Sequence, residues 1–130
     1  MHALRHVHRL LVPGGTLVDI HPVTEEHVET AAEPVGVIHE PDWLNIDLPN
    51  SEAAVQQAIA EGLYALEAQT EYDVLQHFDR PDELIDAKSD LLETQEALVD
   101  AIRAVQAPLL TRMRVVFRRL RAAEPWTQLR

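Results

Sequence analysis

The chain contains no cysteine, which excludes disulfides, thiolate metal sites and cysteine nucleophiles together and gives no reason to expect an oxidising compartment. Long apolar runs are missing too. The stretch His2-Ala3-Leu4-Arg5-His6-Val7-His8 lacks the hydrophobic segment of a signal peptide, and no later segment reaches the roughly 20 apolar residues of a membrane-spanning helix. A soluble, cytoplasmic protein without a membrane partner is the expectation. Positive charge is scarce: 11 Lys and Arg stand against 22 Asp and Glu, a net charge of -11. Nucleic acid and anionic lipid both require a positive footprint, so neither is an expected partner. Glycine is rare as well, with 4 residues at positions 14, 15, 36 and 62.

What is present describes an ordinary folded chain. Its 130 residues, 46% hydrophobic and 25% charged, suit one domain with one core. The charges are unevenly placed. From Asp19 to Asp100 nearly every charged group is acidic, Arg80 and Lys88 excepted, whereas arginines gather at 112, 114, 118, 119 and 121. The two regions can attract each other, or each can form a solvated face.

Ala3, Leu4, Val7, Leu10 and Leu11 recur at helical spacing until Pro13, after which Gly14 and Gly15 supply a turn. The β-branched run Thr16-Leu17-Val18-Asp19-Ile20 follows, and its nearly continuous apolar character predicts a strand covered on both faces in a mainly parallel sheet. Over 22–49 the prolines rule out a long helix, leaving a loop or a small hairpin of Val35–Ile38 with Trp43–Ile46. A helix capped by Asn50 or Ser51 carries Val55, Ile59, Leu63 and Leu66 at a 3.6 period, with Gly62 marking either close packing or the helix end. Alternation over Tyr72–Phe78 predicts a strand, and Asp79-Arg80-Pro81-Asp82 opens a helix with Leu84, Ile85, Leu91 and Leu92 inside. Leu98, Ile102 and Val105 extend that period to Pro108, as one bent helix or two short ones. The segment from Leu109 to Leu120 fits either a helix or a strand, its periodicity leaning helical.

The run Leu4-Arg5-His6-Val7-His8-Arg9-Leu10-Leu11-Val12-Pro13-Gly14-Gly15-Thr16-Leu17-Val18-Asp19 resembles the post-core motif of class I S-adenosylmethionine-dependent methyltransferases, in which a helix ends at a Pro-Gly-Gly turn feeding the fifth strand. Glu71–Asp79 with Pro81-Asp82-Glu83-Leu84 resembles the sixth strand and its helix, and Val115–Leu120 then stands for the seventh. The resemblance implies an α/β fold: the carboxy-terminal half of a Rossmann-like methyltransferase sheet, with about three main strands in a mixed arrangement near Thr16–Ile20, Tyr72–Phe78 and Met113–Leu120, and helices on its faces. It also exposes a gap. The family binds its cofactor with a Gly-x-Gly loop after the first strand and an acidic residue after the second, and no such loop can be assembled from the glycines present. The chain alone is therefore expected to hold no cofactor, S-adenosylmethionine entering only if a complete domain forms. The implied function is that of a truncated or divergent methyltransferase, inactive alone; the alternative is a non-catalytic dimeric binding module whose acidic surface suits a basic partner or a small cation. The strand Thr16–Ile20 would lack its neighbour in such a half-sheet, so two copies are expected to associate through its open edge.

Among single residues, His21 and Asp19 sit where the first strand ends, the place at which open α/β sheets put ligands, and are the candidates for substrate contact or base chemistry. A half-exposed histidine and a carboxylate facing a helix or turn would satisfy the same pattern. His2 and His6 share a helical spacing, but no carboxylate completes a metal signature, so no metal site is expected. His39, Asp42 and Trp43 lie in the Pro-bounded loop and could cover a pocket.

Overall fold

Pro13-Gly14-Gly15 decides how the chain enters its sheet. In the computed structural model, which describes residues 2–123 (the backbone alone at His2), helix α1 spans His2–Leu10 and strand β1 spans Thr16–Pro22. Between them the Gly15 N–H donates to the Val12 carbonyl at 2.8 Å, and Gly14 has φ +78°. Proline second and a left-handed glycine third are the pattern of a type II turn. The Gly14 N–H then donates to the Ala122 carbonyl at 3.1 Å while the Ala122 N–H donates to the Gly15 carbonyl at 2.8 Å. Two residues thus oppose one in a bulge with a left-handed glycine at its first position. This bulge fixes β1 antiparallel to strand β5, Leu109–Ala122.

The described chain divides into two compact units, the first holding 2–21, 42–72 and 116–123, the second 22–41 and 73–115. In the first, a π-helical turn over Trp43–Asp47 leads into helix α2, Leu48–Ala60, with Pro49 in its opening turn. Gly62, φ +77°, closes α2: the Gly62 N–H donates to the Ile59 carbonyl and the Leu63 N–H to the Ala58 carbonyl, both at 3.0 Å. This is the Schellman cap, and it turns the chain out of the helix into strand β4, Tyr64–Phe78. Because an alanine at φ near +77° meets the left-handed penalty, Gly62→Ala is expected to cost about 1 kcal/mol, read from the urea unfolding midpoint.

The core of this unit joins Val55 and Ala58 of α2 to Tyr64, Leu120 and Ala122 of the strands, with Leu4, Leu11, Leu17, Ile59 and Leu63 packed around them. Tyr64 donates its hydroxyl to the Leu4 carbonyl at 2.8 Å and meets the His8 ring edge to face, which ties α1 to the sheet. Burial pushes the Tyr64 hydroxyl pKa up.

In the second unit, strands β2 (Glu26–Thr30) and β3 (Pro34–Ile38) form a hairpin, and β2 also pairs with the first residues of β5. The Thr30 hydroxyl oxygen accepts from the Ala32 and Glu33 N–H groups, each at 3.1 Å, and so builds the hairpin turn. Short helices α3 (Pro81–Ala87), α4 (Ser89–Leu92) and α5 (Glu96–Arg103) follow β4. Leu84, Leu92 and Ile102 from these helices bury against Val28, Ile38, Phe78 and Leu109.

Several expectations are corrected. The sheet is five-stranded and antiparallel, ordered β1-β5-β2-β3 with β4 also on β5, where three main strands of a partial Rossmann-like methyltransferase sheet were expected. A Rossmann-like sheet is parallel; here β1 runs antiparallel to β5, joined to it from the Gly14–Gly15 pairing with Ala122 onward. Nor is β1 covered on both faces: Leu17 lies in the core, whereas Val18 and Ile20 are 46% and 55% exposed. The apolar run is therefore an alternating strand with an apolar outer row. Val35–Ile38 pairs with Glu26–Thr30 rather than with Trp43–Ile46, which is helical. The helical spacing that continued through Leu63 and Leu66 is cut at Gly62, so β4 begins at Tyr64 rather than Tyr72. The segment Leu109–Ala122 is a strand, as the resemblance led one to expect for Met113–Leu120 and against its helical periodicity.

Candidate functional site

Along β1 the side chains of Leu17, Asp19 and His21 alternate with Thr16, Val18 and Ile20, so a carboxylate and an imidazole share the inward row with a core leucine. The bulge pairs Gly15 with Ala122, and counting along the antiparallel ladder sets Asp19 opposite Arg118 of β5. Arg118 stands on the row that holds Leu120 and Ala122 and is 5% exposed. A guanidinium so enclosed needs its donors matched.

Four hydrogen bonds from three elements meet its five donors. Arg118 Nη2 donates to Glu52 Oε2 at 2.6 Å and Nη1 to Glu52 Oε1 at 3.1 Å, a forked pair with α2. Nη1 also reaches Asp19 Oδ2 at 3.2 Å, and Nε donates to Gln69 Oε1 of β4 at 2.9 Å. His21 closes the ring: Nδ1 lies 2.9 Å from Asp19 Oδ1 and Nε2 lies 2.5 Å from Glu52 Oε1. A carboxylate only accepts, so both contacts are hydrogen bonds when both ring nitrogens carry protons. In that state two cations face two anions, and the tetrad is neutral.

Its chemistry follows from that closure. A general base must offer an unprotonated nitrogen to a substrate, and both nitrogens of His21 face carboxylates of the protein. Asp19 is likewise divided between His21 and Arg118. The structure thus brings together the two residues singled out from sequence and adds Glu52, Arg118 and Gln69, which the sequence reading missed. The available signal was the inward alternation of Arg118 with Leu120, which demands a counter-charge. Among the described residues no group of three or more His, Asp or Glu is arranged to hold a metal ion; His6 belongs to α1, and the side chain of His2 lies outside the described residues. Of the loop residues proposed to cover a pocket, His39 falls in the second unit, where it pairs with Glu25 at 3.3 Å, and Asp42 and Trp43 in the first.

The arginine cluster as a whole meets the acidic region. In the second unit Arg112 binds Glu29 at 2.8 Å and Asp73 at 3.0 Å, and Arg114 lies 3.4 Å from Asp73. In the first, Arg119 and Arg121 share Glu67 at 3.2 and 3.5 Å. These exposed pairs, screened by solvent, contribute little each.

The Arg118 guanidinium beside Glu52 holds that carboxyl below the usual carboxylate range, against the opposing effect of burial and with help from His21. A pKa lowered by folding contributes stability that is complete above the unfolded value and is lost as pH falls through the folded one. The stability difference between the protein and a Glu52→Gln variant is therefore expected to shrink as pH falls below about 4.5. Urea titrations at stepped pH check it; a difference that widens in acid would contradict the pairing.

Comparison with known protein families finds no family model that matches this chain, and comparison with curated proteins finds no similar sequence.

Proposed function

We propose that this chain is a docking module without chemistry of its own, which offers the outer edge of β1 to a partner. One contrast carries the reading. On a single strand, Asp19 and His21 turn inward and are spent on Glu52 and Arg118, while Val18 and Ile20 face solvent at 46% and 55% exposure. Among the described residues β1 pairs with β5 alone, so its other edge keeps free N–H and C=O groups. An unpaired edge with apolar side chains is a template for an added strand.

A second reading is favoured by residues 4–19, which fold locally as helix, Pro-Gly-Gly turn and strand. On it the module belongs to an S-adenosylmethionine-dependent methyltransferase, is inactive alone, and holds cofactor only in an assembled site. The antiparallel sheet lends this reading no support. Calorimetric titration of the purified chain, in whatever assembly it forms, with S-adenosylmethionine and S-adenosylhomocysteine separates the two. No saturable heat is expected for a docking module. Saturation at or below roughly 100 micromolar, about -5.5 kcal/mol, would overturn it in favour of the methyltransferase reading.

A further inference from the structure

We infer that the partner at the β1 edge is a second copy of this chain, paired antiparallel about a two-fold axis at Val18; this rests on the docking reading. The backbone phase of β1 makes the edge self-complementary. Because Gly15 bonds to Ala122, the odd residues of β1 direct their N–H and C=O groups at β5, and the even residues Thr16, Val18 and Ile20 direct theirs outward. Setting Val18 opposite Val18 of a second copy sets Thr16 opposite Ile20 on both sides. All three outward donors and all three outward acceptors of each copy then find partners. The axis at Val18 also keeps Pro22, which has no N–H, out of the ladder and avoids placing Asp19 against its own copy.

Side chains favour the same edge. The outward row of β1 is Thr16, Val18 and Ile20, with no charge to repel an approaching strand, and Val18 and Ile20 are 46% and 55% exposed. Strand β4, which also pairs with β5 alone among the described strands, exposes Leu66, Tyr72, Val74 and Leu75 too, but sets Glu67, Glu71 and Asp73 among them, the kind of residues that guard an edge. A single strand edge is a small interface, below the roughly 1,600 Å² of a standard stable complex, so association is weak and concentration dependent. With -11 per copy, two copies repel at long range, and salt should tighten the dimer by screening. A basic partner would show the opposite salt dependence.

Sedimentation equilibrium between about 1 and 500 micromolar, at low and high salt, tests the inference on the whole chain. A monomer–dimer equilibrium tightened by salt is expected. Val18→Lys, an exposed position where folding is unthreatened, should weaken it at least about tenfold by placing two ammonium groups opposite each other. Because the chain has no cysteine, Val18→Cys introduces a unique thiol. Directly opposed residues of a bonded pair lie about 5.5 Å apart at Cα, within disulfide range, whereas Ile20→Cys would stand about 14 Å from its copy. Oxidation should therefore cross-link the first and not the second. A monomer throughout, a dimer indifferent to Val18→Lys, or preferential cross-linking at Ile20→Cys would overturn the inference. Cofactor titration of the same sample separates the failures: a monomer that binds no cofactor removes the second copy alone, and cofactor binding removes the docking reading.

Discussion

Replacing Arg118 by methionine is expected to destabilise the first unit by about 3 kcal/mol, the lower end of what removing one partner of a buried ion pair costs. The lower end applies because the arginine is enclosed, at 6% side-chain exposure, while its partners keep some water, Asp19 at 23% and Glu52 at 31%. Methionine fills similar space, so the cost comes from two carboxylates that lose the guanidinium between them and keep only the His21 ring as a shared hydrogen-bond partner. Arg118→Lys keeps the charge but cannot fork across both Glu52 oxygens while also reaching Gln69, and an intermediate loss is expected. Removing Glu52 with the arginine, as Arg118→Met with Glu52→Leu, should recover part of the loss, because the two residues act as a pair. Urea unfolding followed by circular dichroism reads all three. Equal losses in the single and double variants would mean that the cost does not come from Glu52 left without its partner.

How much of this was legible in the sequence depends on the range of the interaction. The stop of α1 and the turn at Pro13-Gly14-Gly15 are local, fixed by a ring and by a residue without Cβ, and they stand where the sequence puts them. The direction of β1 is not local. It depends on pairing with a strand about a hundred residues later, and an apolar run reads alike in parallel and antiparallel sheets until its partner is known. Strand β2 escaped because Glu26, His27, Glu29 and Thr30 are polar and only Val28 is fully buried, which leaves little apolar alternation to detect. Leu63 and Leu66 continue the spacing of α2 across Gly62, and spacing leaves open whether that glycine is a close-packing position or the helix end, which its left-handed φ decides. At the site, Asp19 and His21 were found from their place at the strand's end. Glu52 and Arg118 come from segments 31 and 97 residues from His21, and the need for them becomes visible only once the inward row of β1 is known.

That row makes the last expectation sharp. Leu120 and Val18 are both apolar strand residues, and a strand covered on both faces would charge similar amounts for truncating either. Here Leu120 is 0% exposed in the core with Val55, Ala58 and Tyr64, and Leu120→Ala should cost about 3 kcal/mol from lost transfer energy and the cavity left behind. Val18 is 46% exposed, and Val18→Ala should stay within about 0.5 kcal/mol in dilute solution, where no second copy covers it. Raising the protein concentration separates fold from docking. Dimerisation stabilises the folded state by mass action, so the unfolding midpoint of the unsubstituted chain should rise with concentration while that of Val18→Ala rises less. Leu120→Ala should lower the midpoint by a similar amount at every concentration, because its loss lies inside the protomer. A large concentration-independent cost at Val18 would place that side chain in a core and remove the outward row on which the β1 edge depends.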